Sequence, residues 1–151
     1  MRLDIRPLRG GETGATLSVD KRVDAPRLAD LDLGKLTVAG TATKLESTLL
    51  FSGEVTAAVR LQCSRCLVSY DEPVTAPLSE EFSMKPSGGP NAINLGPGIR
   101  TALLLALPNR PLHDSECRGL CVTCGKDLNA DPHEHAQNTE DSPFSVLKKL
   151  K

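Results

Sequence analysis

The chain has 151 residues, of which 39% are hydrophobic and 25% charged, which is enough apolar material for one domain with a single core. Its 18 Lys and Arg residues nearly balance 19 Asp and Glu residues, so the composition excludes a strongly basic surface over the whole chain. Any contact with nucleic acid must therefore use a local basic face or another protein. With three Phe, one Tyr and no Trp, the core must consist mostly of Leu, Val, Ala and Ile.

The N-terminal sequence MRLDIRPLRGG carries charges at Arg2, Asp4, Arg6 and Arg9 and lacks an apolar stretch of signal-peptide length. The longest apolar run, residues 102–107, has six residues and is too short to span a membrane. We therefore expect a cytoplasmic protein. Thiols stay reduced in that compartment, so five clustered cysteines favour metal binding or catalysis over disulfides.

Residues 1–84 are predicted to be mainly β. Within them, short runs rich in Val, Thr and Leu are separated by Gly53, by a cysteine turn and by Pro73 or Pro77. The short connections favour an antiparallel meander of four or five strands. Residues 1–9 can add one more strand, because apolar and charged residues alternate there.

The run EVTAAVRLQ gives the clearest strand signal in this part of the chain. Val55, Ala57, Val59 and Leu61 recur at every second position, with Thr, Ala, Arg and Gln between them. A period of two is typical of a strand with one buried face.

The second half of the chain begins with a predicted loop over residues 85–98, which hold seven Gly or Pro residues. The apolar spacing of IRTALLLALP then predicts a short buried helix over residues 99–107. The terminal sequence DSPFSVLKKLK predicts a helix over residues 142–151. Ser142 is a good N-cap, Pro143 a good first helical residue, and lysines suit the C-terminal end.

The five cysteines fall into two groups. The first pair is Cys63 and Cys66, between two predicted strands; the second pair is Cys121 and Cys124, with Cys117 four residues earlier. A C-x-x-C sequence on a tight turn directs two sulfurs at one point, and two such knuckles can supply the four thiolates of a tetrahedral zinc site. We therefore predict a structural zinc site.

Two ligand sets are consistent with the cysteine spacing. In one, the first and second pairs share a single ion, although 54 residues separate them. In the other, the second pair binds an ion locally with Cys117 and with His133 or His135. Thiolate and imidazole are both good zinc ligands, so the chemistry leaves the choice open. Two separate sites are a further alternative.

These elements predict a single α+β domain over residues 1–151. It consists of an antiparallel β-sheet or partial barrel with a buried helix, a zinc-knuckle loop within residues 113–135, and a short C-terminal helix.

Catalytic alternatives find less support in the sequence. A redox C-x-x-C opens a helix after a strand, and neither cysteine pair has this setting. No H-E-x-x-H motif is present, and the two histidines of His133-Glu134-His135 are wrongly spaced for one helical face. His113 precedes Asp114 without a nearby nucleophile and is assigned no role. A closed, structural metal site is therefore favoured.

Three basic residues near the cysteines are candidate nucleic-acid contacts: Arg65, Arg118 and Lys126. Arg65 and Arg118 lie within or beside the predicted metal turns. Scattered solubilising charge explains the same residues equally well. Aromatic residues that stack on bases are nearly absent, which disfavours single-strand binding by stacking.

Three stretches of the chain together resemble the YceD family, whose bacterial and plastid members are associated with accumulation of large-subunit ribosomal RNA. They are CSRCL, INLGPGIRTALLLALPNRPLHDSECRGLCVTCGKDLN and the terminal PFSVLKKLK. The resemblance extends from about residue 36 to the end and is most specific around C-x3-C-x2-C-G-x-x-L-N. It implies a non-enzymatic ribosome-biogenesis factor that supports accumulation or processing of large-subunit ribosomal RNA. It also implies a partner, a zinc-ribbon ribosomal protein of that subunit, whose gene often neighbours those of the family.

Cysteine-rich members of the family often carry further cysteines after the L-N pair, where this chain has the two histidines of residues 131–135. The resemblance therefore favours the local ligand set. Zinc is then expected to pin a long loop to the sheet and to add folding free energy. Two other functions stay open: an adaptor that binds a large-subunit ribosomal protein and, less favoured, a thiol redox protein.

Overall fold

The computed structural model describes residues 1–24, 31–84 and 91–135. In chain order, the elements of these ranges are β1 (Arg2–Asp4), α1 (Arg6–Arg9), β2 (Thr16–Asp24), β3 (Leu33–Lys44), β4 (Thr48–Gln62), β5 (Ser69–Ser83), β6 (Ala92–Asn94) and α2 (Gly96–Ala106). The predicted C-terminal helix over residues 142–151 lies outside them. None of the helices in the described ranges is both long and apolar enough to span a membrane.

The four long strands form an antiparallel sheet in the order β2-β3-β4-β5. β4 and β5 make a continuous hairpin, which pairs from Thr48 and Ser83 at one end to Gln62 and Ser69 at the other. The antiparallel meander predicted from the short connections is therefore confirmed. β2 and β5 are the outer strands of the sheet in the described part of the chain.

One face of this sheet forms the main core together with α1, α2, β1 and β6. Val55, Ala57 and Val59 are buried on β4, as their alternation predicts, and Leu61 is partly buried. The largest fully buried side chains are Phe51, Ile5, Leu36, Leu49, Leu95, Ile99 and Leu103. This core is mainly aliphatic, as the composition requires.

β4 continues through Gly53, so the predicted break at this residue is wrong. Gly53 faces Gly40 of β3 across the sheet. A Cβ atom at Gly53 would collide with the backbone of Ala39 and Gly40. The two glycines therefore allow a close approach of neighbouring strands, which is a known use of glycine inside a sheet.

β5 likewise continues through Pro73 and Pro77, which pair opposite Ala58 and Glu54 of β4. Proline lacks the N–H that a central strand needs. It is tolerated on an edge strand, where one side of the backbone forms no hydrogen bonds with a neighbouring strand. The predicted breaks at these prolines are therefore wrong as well.

Helix α2 packs mainly against β5.

A small two-stranded sheet joins the N-terminus to the segment before α2. β1 pairs antiparallel with β6, with Leu3 opposite Ile93. β6 lies inside residues 85–98, where the sequence predicts only a loop, because its three residues are too few to show a pattern. Only part of the strand expected over residues 1–9 forms, since α1 follows β1 directly.

Helix α2 spans Gly96–Ala106, so it begins three residues before the predicted helix over 99–107. Pro97 lies in its first turn, where the missing N–H of proline has no helical partner to lose. The first turn of α2 contains glycine and proline, and for that reason the sequence placed it in the preceding loop. Ile99 and Leu103 are buried in the main core, as expected for a buried helix.

Candidate metal centres

The first cysteine pair lies on the turn between β4 and β5, residues 63–68, which we call the first knuckle. The N–H of Cys63 donates to the carbonyl oxygen of Val68 at 2.8 Å, and the N–H of Leu67 donates to the carbonyl oxygen of Cys63 at 3.0 Å. Leu67 has a φ of 63°, and it is the single non-glycine residue with positive φ in the described ranges. This left-handed conformation costs an L-residue about 1–2 kcal/mol.

The second cysteine pair repeats this local structure in residues 121–126, the second knuckle. The N–H of Cys121 donates to the carbonyl oxygen of Lys126 at 2.8 Å, and the N–H of Gly125 donates to the carbonyl oxygen of Cys121 at 2.8 Å. Gly125 occupies the position equivalent to Leu67 and has a φ of 72°, which glycine adopts freely. The two knuckles therefore share one hydrogen-bond pattern at the same residue offsets.

The thiols of the first knuckle meet two residues from the segment after α2. Ligand atoms of Cys63, Cys66, His113 and Cys117 all lie within 4.8 Å of one another, and we call this set the inner cluster. The sulfurs of Cys63 and Cys117 are 3.9 Å apart, and the sulfur of Cys66 is 3.3 Å from Nδ1 of His113. The three thiols are buried and the imidazole is exposed.

The thiols of the second knuckle meet two histidines a few residues later. Ligand atoms of Cys121, Cys124, His133 and His135 lie within 4.8 Å of one another and form the outer cluster. The sulfur of Cys124 is 3.1 Å from Nε2 of His133. Nδ1 of His133 lies 2.7 Å from the carbonyl oxygen of Asp131, a contact that holds the ring with Nε2 towards the sulfurs. This cluster is more exposed than the inner one.

Both clusters have the donors of a structural zinc site. Three Cys with one His, and two Cys with two His, are both standard zinc ligand sets. Zinc–ligand bonds of about 2.0–2.3 Å in a tetrahedron place the donor atoms roughly 3.3–3.8 Å apart. Three of the separations, at 3.1–3.9 Å, are close to this size, and the others are within 4.8 Å. Each cluster could therefore hold a metal ion through four protein ligands.

The surroundings favour the metal-binding thiolate form in one cysteine of each knuckle. Burial opposes ionisation of Cys63, but hydrogen bonds from the His113 side chain and from nearby backbone lower its pKa to about 5. Backbone N–H groups of Cys124 and Thr123 lower the pKa of Cys121 to about 6, against a smaller opposing effect of burial. Both thiols therefore have a pKa below neutral pH.

The pKa of Cys66 shifts in the opposite direction. A backbone hydrogen bond from Val68 favours its thiolate, but burial and the thiols of Cys63 and Cys117 together raise its pKa to about 11. Like charges packed this closely cannot all form without a compensating positive charge. A divalent metal ion is such a charge, so the electrostatics of the inner cluster agree with its donor set.

The second knuckle is docked onto the first by a short network. The N–H of Leu120 donates to the carbonyl oxygen of Arg65 at 3.1 Å, and Nη1 of Arg65 donates to the carbonyl oxygen of Cys117 at 2.7 Å. Gly119 has a φ of 79°, and a Cβ atom there would lie 3.1 Å from the carbonyl oxygen of Arg65. Glycine at this position therefore permits the close contact between the two knuckles.

Asn129 links the same segment to the inner cluster. Its Oδ1 accepts the N–H of Arg118 at 2.8 Å, and its Nδ2 donates to the sulfur of Cys117 at 3.5 Å. Nδ2 also donates to Oδ1 of Asp127 at 2.7 Å, which orients the amide. A donor that contacts a ligand sulfur stabilises its thiolate and fixes its direction. Asn129 is the second residue of the L-N pair in the pattern C-G-x-x-L-N, and this pair is its signal in the sequence.

The structure brings all seven predicted ligands into clusters, in a grouping that differs from both single-ion sets. The first and second pairs do not share a cluster. Cys117 lies with the first pair, whereas the second pair meets both His133 and His135. This grouping corresponds to the alternative of two sites. His113 completes the inner cluster although the sequence assigned it no role. It stands four residues before Cys117, and this local spacing is the signal that could have identified it.

The three candidate nucleic-acid contacts divide between two places. Arg65 and Arg118 both line a surface cavity of about 580 Å³, to which the two clusters each contribute a residue, Cys117 and His133. Lys126 is not part of this lining, and its Nζ lies 3.6 Å from a carboxylate oxygen of Asp131. The two arginines therefore share a site that Lys126 does not join.

Comparison with known proteins gives a family. The pattern of the YceD family, described as large ribosomal RNA subunit accumulation protein YceD, matches residues 51–151, a region that contains both clusters. The chain is also 30% identical over 154 residues to the uncharacterized protein ML1660 of Mycobacterium leprae (strain TN), with 87% of this chain and 70% of that protein aligned. No solved structure matches the chain. The resemblance seen in the sequence is thereby confirmed, and the chain belongs to the YceD family.

Proposed function

We propose that the chain is a non-enzymatic ribosome-biogenesis factor that supports accumulation of large-subunit ribosomal RNA and carries two structural zinc ions. Membership of the YceD family supports the ribosomal role. The observation that carries the zinc assignment is the pair of Cys/His clusters, each with four donors within 4.8 Å of one another. Zinc in the inner cluster would cross-link the β4–β5 hairpin to the segment after α2.

A binding role is proposed because each ligand set is closed. Catalytic zinc keeps one position for water or substrate, whereas four protein donors fill a tetrahedral shell. The same argument disfavours thiol redox chemistry, since all five cysteines belong to the two ligand sets. We therefore expect the reduced, zinc-loaded chain to be inert towards oxidised glutathione. A mixed disulfide formed at Cys124, the exposed cysteine, would instead favour the redox alternative.

Large-subunit RNA is the proposed partner, and the shared position of Arg65 and Arg118 supports it. A second candidate is an adaptor that binds a large-subunit ribosomal protein. It is favoured by exposed apolar side chains on the knuckles, which are Leu67 (54% exposed), Val68 (47%) and Val122 (101%). Exposed apolar residues are typical of contacts with protein where they form one patch.

The zinc assignment is tested by elemental analysis of the full chain, purified under reducing conditions. We expect two equivalents of zinc in the wild type and one in each of Cys63→Ser and Cys121→Ser, because each change removes one ligand set. Ser64→Ala, beside the first ligand, is the matched control and should keep both ions. A single ion lost in both cysteine variants would support the shared site instead, and a folded protein without metal would contradict the assignment.

The ribosomal role is tested in cells that lack the protein. We expect large-subunit RNA to fall relative to small-subunit RNA, and the wild-type chain to restore it. A double variant, Cys63→Ser with Cys121→Ser, should restore it poorly, whereas Ser64→Ala should restore it fully. An unchanged ratio of the two RNAs in the deleted strain would contradict the ribosomal role.

The choice between RNA and protein partners is tested by salt dependence. Binding to large-subunit RNA fragments should weaken steeply as salt rises, because each phosphate contact releases a counterion. An adaptor should bind such fragments weakly at all salt concentrations and should instead bind a purified ribosomal protein. Val122→Ser should then weaken the protein complex and leave RNA binding unchanged.

A further inference from the structure

The cavity between the two clusters has a chemically mixed lining. Of about 580 Å³, it is formed by two arginines, one acidic residue, two apolar residues and one member of each cluster. The lining residues are Arg65, Cys117, Arg118, Leu128, Pro132, His133 and Glu134. The lining holds two guanidinium groups and one carboxylate, whereas acidic residues slightly outnumber basic ones in the chain as a whole.

The two arginines are suited to bind an anion. Arg65 is exposed, but its guanidinium is held in place by a 2.7 Å hydrogen bond to the carbonyl oxygen of Cys117. That bond uses one of the five N–H donors of a guanidinium group. The Arg118 side chain has no ion-pair partner within residues 1–24, 31–84 and 91–135, and Asn129 fixes its backbone. Guanidinium groups pair well with the oxygens of a phosphate, and both of these arginines line the same cavity.

The remaining lining residues suit the rest of a nucleotide. Leu128 and Pro132 provide apolar surface for a sugar or base face, and Glu134 provides a carboxylate that can accept a hydrogen bond from a ribose hydroxyl. A nucleotide is small enough for a cavity of this volume, and the RNA-specific 2′-hydroxyl is the group that separates RNA from DNA at such a site.

We propose that this cavity binds one nucleotide of single-stranded RNA, with its phosphate on Arg65 and Arg118. The proposal rests on the ribosomal RNA partner proposed above and assigns the contact to a particular place. Cys117 and His133, one from each cluster, both line the cavity, so its shape depends on both clusters being ordered. RNA binding should therefore require that both ligand sets are intact.

The test measures binding of a fluorescent single-stranded RNA of about 12 nucleotides to the full, zinc-loaded chain by anisotropy. The ligands compared are this RNA, a DNA of the same sequence and a peptide of glutamates, with inorganic phosphate as a competitor. The variants are Arg118→Ala and, as a matched control, Arg110→Ala. Arg110 carries the same charge in the same segment but does not line the cavity. Zinc content is measured on every variant to show that the clusters persist.

We expect Arg118→Ala to weaken RNA binding about tenfold or more and to lower the salt slope by about one, while Arg110→Ala changes binding less than twofold. RNA should bind more tightly than DNA, and Glu134→Gln should reduce that preference. Cys121→Ser, which breaks the outer cluster, should weaken RNA binding at least as much as Arg118→Ala.

Other outcomes overturn the proposal in distinguishable ways. If RNA binds but Arg118→Ala and Arg110→Ala behave alike, the cavity is not the contact, although the proposed RNA partner stands. If no RNA binds, the RNA partner fails as well. If the glutamate peptide binds more tightly than RNA, the cavity is a site for protein carboxylates and the RNA assignment is wrong.

Discussion

The sheet and the segment over residues 111–135 are stabilised by different means. The sheet buries a continuous set of aliphatic side chains and Phe51 against two helices. The segment contributes no buried residue to that core, and its contacts with the β4–β5 hairpin are mainly those of thiols, an imidazole, an arginine and backbone hydrogen bonds. Partly buried Tyr70, Leu112 and Leu120 add a small apolar margin around the inner cluster.

This difference indicates that stability is unevenly distributed in the chain. Regions with few buried apolar contacts open at lower free energy than the core does. In this protein the weaker region also carries the proposed binding cavity, so the function depends on whatever holds that region in place. The following predictions test how far the two regions are independent.

Removing the metal should have the largest effect, confined to one region. Structural zinc contributes about 10–16 kcal/mol of binding free energy in small peptides, and residues 111–135 contribute no buried residue to the main core that could replace it. Under a chelator, we expect amide hydrogens of that segment to lose protection while those of β3 and β4 keep it, as measured by hydrogen exchange. Zinc should restore protection and magnesium should not. Loss of protection in the sheet as well would show that the two regions fold as one unit.

Phe51→Ala tests how much the core packing of the sheet contributes to stability. Phe51 is fully buried, and truncating a buried Phe costs about 3–5 kcal/mol through lost burial and an added cavity. We expect this loss in the free energy of unfolding measured in denaturant on the zinc-loaded chain. Leu105→Ala is the control, because Leu105 is 83% exposed and should change stability by less than about 0.5 kcal/mol. Equal effects of the two changes would contradict the packing described for β4.

Gly53→Ala tests the close approach of β3 and β4. The added methyl group would collide with the backbone of Ala39 and Gly40, which cannot move aside as a flexible side chain does. We expect a loss of about 1–3 kcal/mol in the free energy of unfolding. Gly34→Ala is the control, because its Cβ would meet the Ala58 methyl group at an ordinary 3.4 Å. If Gly53→Ala lowers the free energy of unfolding no more than the control does, β3 and β4 do not approach closely at this point.

Asn129→Ala tests the connection between the two regions. It removes the donor to the Cys117 sulfur, and loss of such a supporting bond typically weakens metal affinity about 10–100-fold. We expect the loss at the inner cluster only, measured by competition with a chelator using cobalt, whose spectrum differs between three-thiolate and two-thiolate sites. Asn109→Ala is the control in the same half of the chain. An equal loss at both clusters would mean that Asn129 acts through the fold of the segment instead.

Leu67→Gly should have the smallest effect. Glycine relieves the left-handed strain at φ 63°, so we expect the zinc-loaded chain to gain up to about 1 kcal/mol in thermal or denaturant unfolding. Leu67→Ala keeps the strain and removes the same exposed side chain, so it should gain nothing. Destabilisation by glycine beyond that seen with alanine would show that the first knuckle is not strained.

The sequence predicts the sheet well where buried and exposed residues alternate. It predicts the sheet poorly at glycine and proline, whose place in a strand depends on the neighbouring strands. The alternation from Val55 to Leu61 identified a buried face of β4 correctly. Gly53 and Pro73 were wrongly interpreted as strand ends, because their tolerance depends on the facing Gly40 and on the edge position of β5. Neither the pairing of Gly53 with Gly40 nor the edge position of β5 can be found from local sequence.

The candidate site was predictable in its residue types and less so in its grouping. The two C-x-x-C pairs and the histidines of residues 131–135 are local signals, and the structure brings them to the two clusters. His113 was missed, although it stands four residues before Cys117, because its other two partners lie on the turn between β4 and β5, far away in sequence. Which thiols meet depends on where the segment after α2 returns to the sheet, and that is a property of the tertiary fold.

The two ligand sets differ in how far apart their members lie along the chain. Cys124 and His133 of the outer cluster are nine residues apart, whereas Cys63 and Cys117 of the inner cluster are 54 apart. A short loop closes quickly even in a disordered chain, but the long one closes readily only after the hairpin and α2 have formed. Newly made protein would therefore capture its first ion at the outer site. When zinc is scarce, the half-loaded species should accumulate with the inner site vacant, and filling of that site would mark completed maturation.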